Sequence, residues 1–182
     1  MNTISLRKKW IKGNTMKSET AEKHKKESSS DIMCGIITLS DSRKSEKLDL
    51  SGKYMAEEIE ARYTLKSKAL IPDEPEDLIG AIEDMISQKI DVILTNGGTG
   101  LAARDITVET VESLFEKRIE GFGELFRAKS FEEIGSAALL SRATAGVYKK
   151  TLIFSMPGSP NAVKTALPLI IDELPHFVHH VK

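Results

Sequence analysis

The sequence predicts an α/β fold: a three-layer α/β/α sandwich with a mostly parallel sheet and a C-terminal β-hairpin supplying an edge strand. Two observations carry this. Short apolar, β-branched runs at Ile32–Leu39, Ile90–Thr95 and Thr151–Phe154 each end in a polar or glycine-rich loop. Between them lie segments with apolar residues at helical spacing, and strands alternating with helices predict a parallel sheet covered on both faces.

Each element follows in order. After the first strand and its Ser40-Asp41-Ser42 loop, Ser51-Gly52 opens a helix holding Met55, Ile59 and Tyr63, and a strand is expected over about 64–71. Pro75 starts a second helix with Leu78, Ile82 and Met85 on one face. The strand Ile90–Thr95 then runs into Asn96-Gly97-Gly98-Thr99-Gly100. Val108, Val111, Leu114 and Phe115 make the next helix face, and 121–140 reads as helical, with Phe122 and Phe126 as core or subunit contacts. Thr144–Val147 and Leu152–Phe154 flank Tyr148-Lys149-Lys150 as a hairpin. Ser159-Pro160 has the form of an N-cap followed by proline at the first helical position, ahead of Val163, Ala166, Leu167 and Ile170.

Two domains of behaviour are expected. Residues 1–30 are dense in lysine and arginine, end in Ser28-Ser29-Ser30 and lack apolar periodicity, so they read as a disordered basic tail. Met16 offers a second start within it. Residues 31–182 form one domain, long enough to bury a proper core. A net charge of −1 gives no argument for nucleic acid or an anionic membrane as partner. The single cysteine, Cys34, lies in an apolar run and reads as a small buried hydrophobe. With no bilayer-length apolar stretch and no signal-peptide core, a cytoplasmic protein is expected. His176, His179 and His180 read as part of a solvated C-terminal tail.

Three strand ends that carry polar loops suggest one ligand site, because in open α/β sheets ligands sit outside the carboxyl ends of the strands. The glycine turn is neither a Walker A loop nor a dinucleotide fingerprint. Its glycines permit positive φ and close approach, and its N–H groups beside a helix start suit an anion, while Asp105 suits a cation. On the residues alone, Asp73, Asp105 and Asp41 also read as helix-cap or turn residues.

Thr95-Asn96-Gly97-Gly98-Thr99-Gly100 with Arg104-Asp105 resembles the TxGGTG…RD signature of the MoaB/Mog family of molybdenum cofactor biosynthesis proteins. Met156-Pro157-Gly158-Ser159-Pro160 is similar to that family's second loop. Leu39-Ser40-Asp41-Ser42-Arg43, Asp49-Leu50-Ser51-Gly52 and Ile71-Pro72-Asp73-Glu74 fall in the family's order. Glu120–Glu124 and Ser130–Gly135 resemble the MoaB branch. Val108 departs from the family pattern, where proline often follows the threonine; Thr107 is still expected to cap the helix.

The resemblance implies adenylation of molybdopterin by ATP with Mg²⁺. It implies Asp73 and Asp105 as catalytic, metal-binding carboxylates, with Thr95, Gly97, Gly98, Thr99 and Gly100 holding phosphate. It implies Asp41 orienting the nucleotide or pterin, and Pro157, Gly158 and Ser159 at the pterin's phosphate or dithiolene end. A homotrimer or homohexamer is implied as well. The alternatives are a carrier that binds molybdopterin without catalysis and a pyrophosphatase of the competence-damage type, against which the Glu120–Ile134 stretch argues.

Overall fold

A computed structural model describes residues 31–41 and 48–182. The basic tail and the Ser42-Arg43 part of the first loop motif lie outside the described residues. Strands β1 (Met33–Leu39), β2 (Thr64–Ile71), β3 (Val92–Asn96), β4 (Lys117–Arg118), β5 (Thr144–Tyr148) and β6 (Thr151–Met156) form a sheet in the order β2-β1-β3-β6-β5-β4. The pairs β1–β2, β1–β3 and β3–β6 are parallel; β5 runs antiparallel to β6 and β4 antiparallel to β5. The mostly parallel sheet and the hairpin are thus as the sequence predicts.

The helices are α1 (Leu50–Glu60), α2 (Pro75–Ser87), α3 (Thr107–Leu114), α4 (Glu120–Ile134), α5 (Pro160–Ala166) and α6 (Leu174–Val181). The two-residue period of the strands sorts their side chains between the layers. Ile36, Leu94 and Phe154 point to the face that also buries Met55, Phe126, Val163 and Leu174 of α1, α4, α5 and α6. Ile37, Ile93 and Ile153 point to the other, against Leu78, Ile82 and Met85 of α2 and Val111 of α3. Phe122 meets Phe154 edge to face at 5.2 Å, so Phe122 and Phe126 are core residues. Cys34 is fully buried, and burial, aided by Asp91, pushes its thiol up to about 12; it is no nucleophile.

Several local expectations are corrected. The first helix begins at Leu50, one residue before Ser51, because the Asp49 carboxylate caps the Gly52 N–H. The 121–140 segment is helical in two parts: Gly135, at φ +63°, ends α4, and a 3-10 turn covers Gly135–Leu140. The helix from Pro160 stops at Ala166 and gives way to 3-10 turns, since Pro168 cannot continue it. The C-terminal histidines do not lie in a solvated tail. They ride on α6, whose Leu174 and Val178 are buried in the core. Thr107 does not cap α3 either; Ile106 occupies that position with no side-chain cap, and the Thr107 hydroxyl donates to the Gly97 carbonyl at 2.8 Å. No helix among the described residues is long and apolar enough to cross a membrane.

Candidate functional site

The sheet order turns outward on either side of β1 and β3, and a crevice opens at such a point. Here the loops after β1, β2, β3 and β6 enclose a cleft of about 460 Å³. Its lining includes Asp41, Asp73, Gly97, Gly98, Thr99, Gly100, Asp105, Pro157 and Gly158, residues spread over more than a hundred positions of chain. Two sequence candidates are absent from the wall. Thr95 is fully buried inside the sheet, where its hydroxyl donates to Ser155 Oγ at 2.8 Å and ties β3 to β6. Ser159 caps α5 by accepting from the Ala162 N–H at 3.2 Å, as its place before Pro160 predicts.

Glycine is obligatory at the turn. Gly97 takes φ +103°, and a Cβ there would lie 2.1 Å from the Leu39 carbonyl oxygen. Gly98 takes φ +61°, and its Cβ would lie 2.7 Å from Asp73 Oδ1 and 2.4 Å from Thr107 Oγ1. The backbone is therefore pressed between β1, Asp73 and α3, with no room for a side chain. Among the described residues no acceptor partners the N–H groups of Gly98, Thr99 and Gly100, which leaves three donors at a cleft wall for an anion.

The carboxylates sit against this turn. Asp105 Oδ2 accepts from the Ala102 N–H at 2.8 Å and lies close to Gly100, where a Cβ would stand 2.7 Å from it. Asp73 Oδ2 accepts from the Asp41 N–H at 3.0 Å. Among the described residues Asp73 Oδ1 is enclosed and has no hydrogen-bond partner. Such an oxygen is costly unless something not yet present completes it. Burial accordingly raises the Asp73 carboxyl above its usual range, opposed by its hydrogen bond from Asp41 and reinforced by the negative charges of Asp41 and Asp105. Neither aspartate is a helix cap: the N-caps of α2 and α3 are Glu74 and Ile106.

Asp41 is committed differently. Its carboxylate accepts from the Asp73 N–H at 3.1 Å and takes both Nε and Nη2 of Arg104 at 2.9 Å. The hydrogen bond from Asp73 and then the Arg104 guanidinium hold it below the usual carboxylate range. Asp41 thus braces the rim. Arg104 bonds Asp41 and, at 2.7 Å, Glu74. Those pairings join positions 63 and 30 residues apart, and no local sequence signal reveals them.

Among the described residues no group of three or more His, Cys, Asp or Glu could cage a metal. Mg²⁺ needs no cage: it takes one or two carboxylates and completes its shell with water and phosphate oxygens. Asp73 and Asp105, both on the cleft wall, fit that requirement. Among the described residues the cleft lining carries three carboxylates and one guanidinium, a negative balance that would repel a polyphosphate without a divalent cation.

Comparison with known proteins agrees with this architecture. The family model described as "Probable molybdopterin binding domain" matches residues 35–176. The molybdopterin adenylyltransferase of Pyrococcus furiosus is 42% identical over 166 residues, covering 88% of this chain and 98% of that protein. Molybdenum cofactor biosynthesis protein B of Bacillus subtilis is 43% identical over 167 residues, covering 90% and 98%. The crystal structure of the tungsten cofactor synthesizing protein MoaB from Pyrococcus furiosus superposes with a TM-score of 0.79 at 41% identity, covering 83% of this chain and 97% of that one. With its paired aspartates seated on the glycine turn, this chain belongs to the MoaB/Mog family of molybdenum cofactor biosynthesis proteins.

Proposed function

We propose that this protein is a molybdopterin adenylyltransferase, transferring AMP from ATP to the terminal phosphate of molybdopterin in molybdenum cofactor biosynthesis. The observation that carries the reading is that Asp73 and Asp105 line one cleft against the glycine turn. A merely carrying pocket has less need of two carboxylates on one wall; a site that would hold Mg²⁺ with a triphosphate has such a need.

In the reaction, a phosphate oxygen of molybdopterin attacks the α-phosphorus of ATP, the bond from that phosphorus to the α–β bridging oxygen breaks, and pyrophosphate leaves with the electron pair. A phosphate monoester has its second pKa near 6 and is already mostly ionised at neutral pH, so the nucleophile needs no general base. Among the described residues the cleft lining offers carboxylates, a guanidinium and backbone donors but no histidine or cysteine. The work left to the protein is positioning and charge neutralisation. The N–H groups of Gly98, Thr99 and Gly100 hold phosphate oxygens, and Asp73 and Asp105 hold the metal. Pro157 and Gly158, on the cleft wall ahead of α5, receive the phosphate or dithiolene end of the pterin. When bound, Mg²⁺ supplies the positive charge that lets the polyphosphate enter a negative cleft and that stabilises the leaving pyrophosphate.

The same reading carries self-association as a homotrimer or homohexamer. Leu125, Phe131 and Ile134 of α4, with Leu139 and Leu140 after it, expose apolar surface that assembly would cover; sedimentation velocity tests it. For the reaction, purified protein is incubated with molybdopterin, ATP and Mg²⁺. Adenylyl-molybdopterin and pyrophosphate in equal amounts, both abolished by a chelator, are expected. Tight molybdopterin binding without AMP transfer would instead make the protein a carrier.

A further inference from the structure

We infer that Arg142 is a positioning residue that fixes the loop carrying Asp105, and thereby presets one of the two metal-binding carboxylates. This deepens the AMP-transfer reading and rests on it for the identity of the metal site. Arg142 precedes β5, on a segment whose motif content is nil, and it contributes nothing to the cleft wall. It lines instead a neighbouring cavity of about 340 Å³ that shares Ser141 with the cleft.

Its guanidinium reaches the site from behind. Nε donates to the Thr99 carbonyl at 3.1 Å and Nη2 to the Asp105 carbonyl at 3.2 Å. Nη1 also bonds the Glu109 carboxylate, with Nη2 reaching its second oxygen at 3.3 Å. One planar group therefore ties both ends of the irregular Thr99–Asp105 loop to the first turn of α3. Arginine suits this because its donors lie in a rigid fork, so fixing one contact orients the others.

Two other anchors hold the loop, one at each side and neither at the Thr99 or Asp105 carbonyl. Its middle, Leu101 to Arg104, is exposed, and Leu101 is 68% accessible. Its internal bonds, Ala102 N–H to Asp105 Oδ2 and Asp105 N–H to the Ala102 carbonyl at 2.9 Å, lock Asp105 to the loop but not the loop to the protein. Thr107 secures the other side of the turn, at Gly97 and Gly98. Arg104 ties the loop to the β1 and β2 loops through an exposed side chain. Arg142, with 24% of its side chain accessible, is the more enclosed of the two arginines that grip the loop. Without it the Thr99 and Asp105 carbonyls lose their donors, and the Asp105 carboxylate loses its fixed distance from Asp73.

The test uses the full chain and two readouts that do not require turnover. Hydrogen exchange reports the amides of residues 100–105, and electron paramagnetic resonance follows Mn²⁺, in place of Mg²⁺, binding in the presence of ATP. In Arg142→Ala, exchange over 100–105 is expected to quicken while the β3 amides keep their protection, and Mn²⁺ affinity to fall about tenfold, the usual scale for groups that orient metal ligands. Molybdopterin binding without metal should stay within about twofold. Arg142→Lys, which keeps the charge but not the fork, should fall between the two and serves if the alanine variant does not fold. Wild-type exchange and wild-type Mn²⁺ affinity in both folded variants would overturn the inference, as would equal loss of metal-free pterin binding, which marks general collapse of the site. A wild-type protein that binds Mn²⁺ but transfers no AMP defeats the enzymatic reading alone.

Discussion

The two ends of the sheet hold cavities of comparable size, about 460 Å³ at the carboxyl ends of the strands and about 560 Å³ at the amino ends. Both are charged and both contain backbone at positive φ. At the amino end Lys89, Lys149 and Lys150 take φ of 60°, 47° and 64°, and Lys149, Lys150 and Lys182 line the wall with Asp31 and Asp91. Asp91 is nearly enclosed, yet both its oxygens are answered: Oδ2 by the Met33 N–H at 2.9 Å and Oδ1 by Lys182 at 2.9 Å. At the carboxyl end Asp73 keeps one sealed oxygen unanswered. Volume does not separate the two ends, and neither does the mere presence of charged side chains. Polar satisfaction does: of the two enclosed carboxylates, Asp91 is answered at both oxygens and Asp73 at one among the described residues.

The largest break in this contrast comes from the carboxylates. Asp73→Ala and Asp105→Ala should each lower AMP transfer by roughly 100-fold or more, the several kcal/mol expected when a metal's charge is misplaced at a transferring phosphorus. Molybdopterin binding should survive in both, as measured by fluorescence quenching of the pterin. Turnover retained by either variant would remove its assigned role. Asp91→Ala at the other end should leave the rate within about twofold.

Next in size is the backbone. Gly97→Ala must place a Cβ against the Leu39 carbonyl at a φ that alanine shuns, and strain of this kind costs about 2–4 kcal/mol. A chain of this length should lose about 10 °C in Tm by calorimetry. A loss of only a degree or two would mean that the turn opens easily, and the glycine would then serve the ligand's approach more than the fold.

A smaller effect follows from the raised carboxyl of Asp73. Because its folded value lies above the ordinary 3.8, the folded state binds more protons than the unfolded state just above that pH. Stability in the absence of ligand then falls as pH rises through the Asp73 titration. Asp73→Asn should lack this slope and be the more stable protein at neutral pH, despite losing activity. Denaturant unfolding between pH 4 and 7 measures it; parallel curves for the two proteins would show that Oδ1 is not strained.

Much of this architecture was legible because the signals are local. Runs such as Ile36-Ile37 and Val92-Ile93-Leu94 announce strands, and glycine and proline mark where they end. The cleft followed from those ends, since parallel strands bring their loops together. What escaped notice was non-local or brief. β4 is two exposed residues, too short to have a period. α6 was hidden by Pro175 and three histidines, although Leu174, Phe177, Val178 and Val181 repeat at helical spacing. Thr95 belongs to the glycine motif by sequence, but the alternation of β3 turns its hydroxyl to Ser155. Arg142 grips backbone carbonyls, which carry no side-chain signature.

The smallest effect sharpens the contrast from the amino end. Lys149 and Lys150 form a two-residue hairpin loop between the paired Tyr148 and Thr151, with φ positive at both positions. Such loops favour Asn-Gly, because a side chain there pays about 1–2 kcal/mol in the left-handed region. Part of this returns with glycine, whose freer unfolded chain offsets roughly half. Lys150→Gly should therefore raise stability by up to about 1 kcal/mol, some 3 °C in Tm, with AMP transfer unchanged. Glycine thus weighs differently at the two ends: it is needed at Gly97, where the backbone is crowded by the Leu39 carbonyl, and merely more comfortable at Lys150, where the turn is open. A Lys150→Gly protein that loses stability would show that the lysine side chain, and not only its backbone, holds the amino end together.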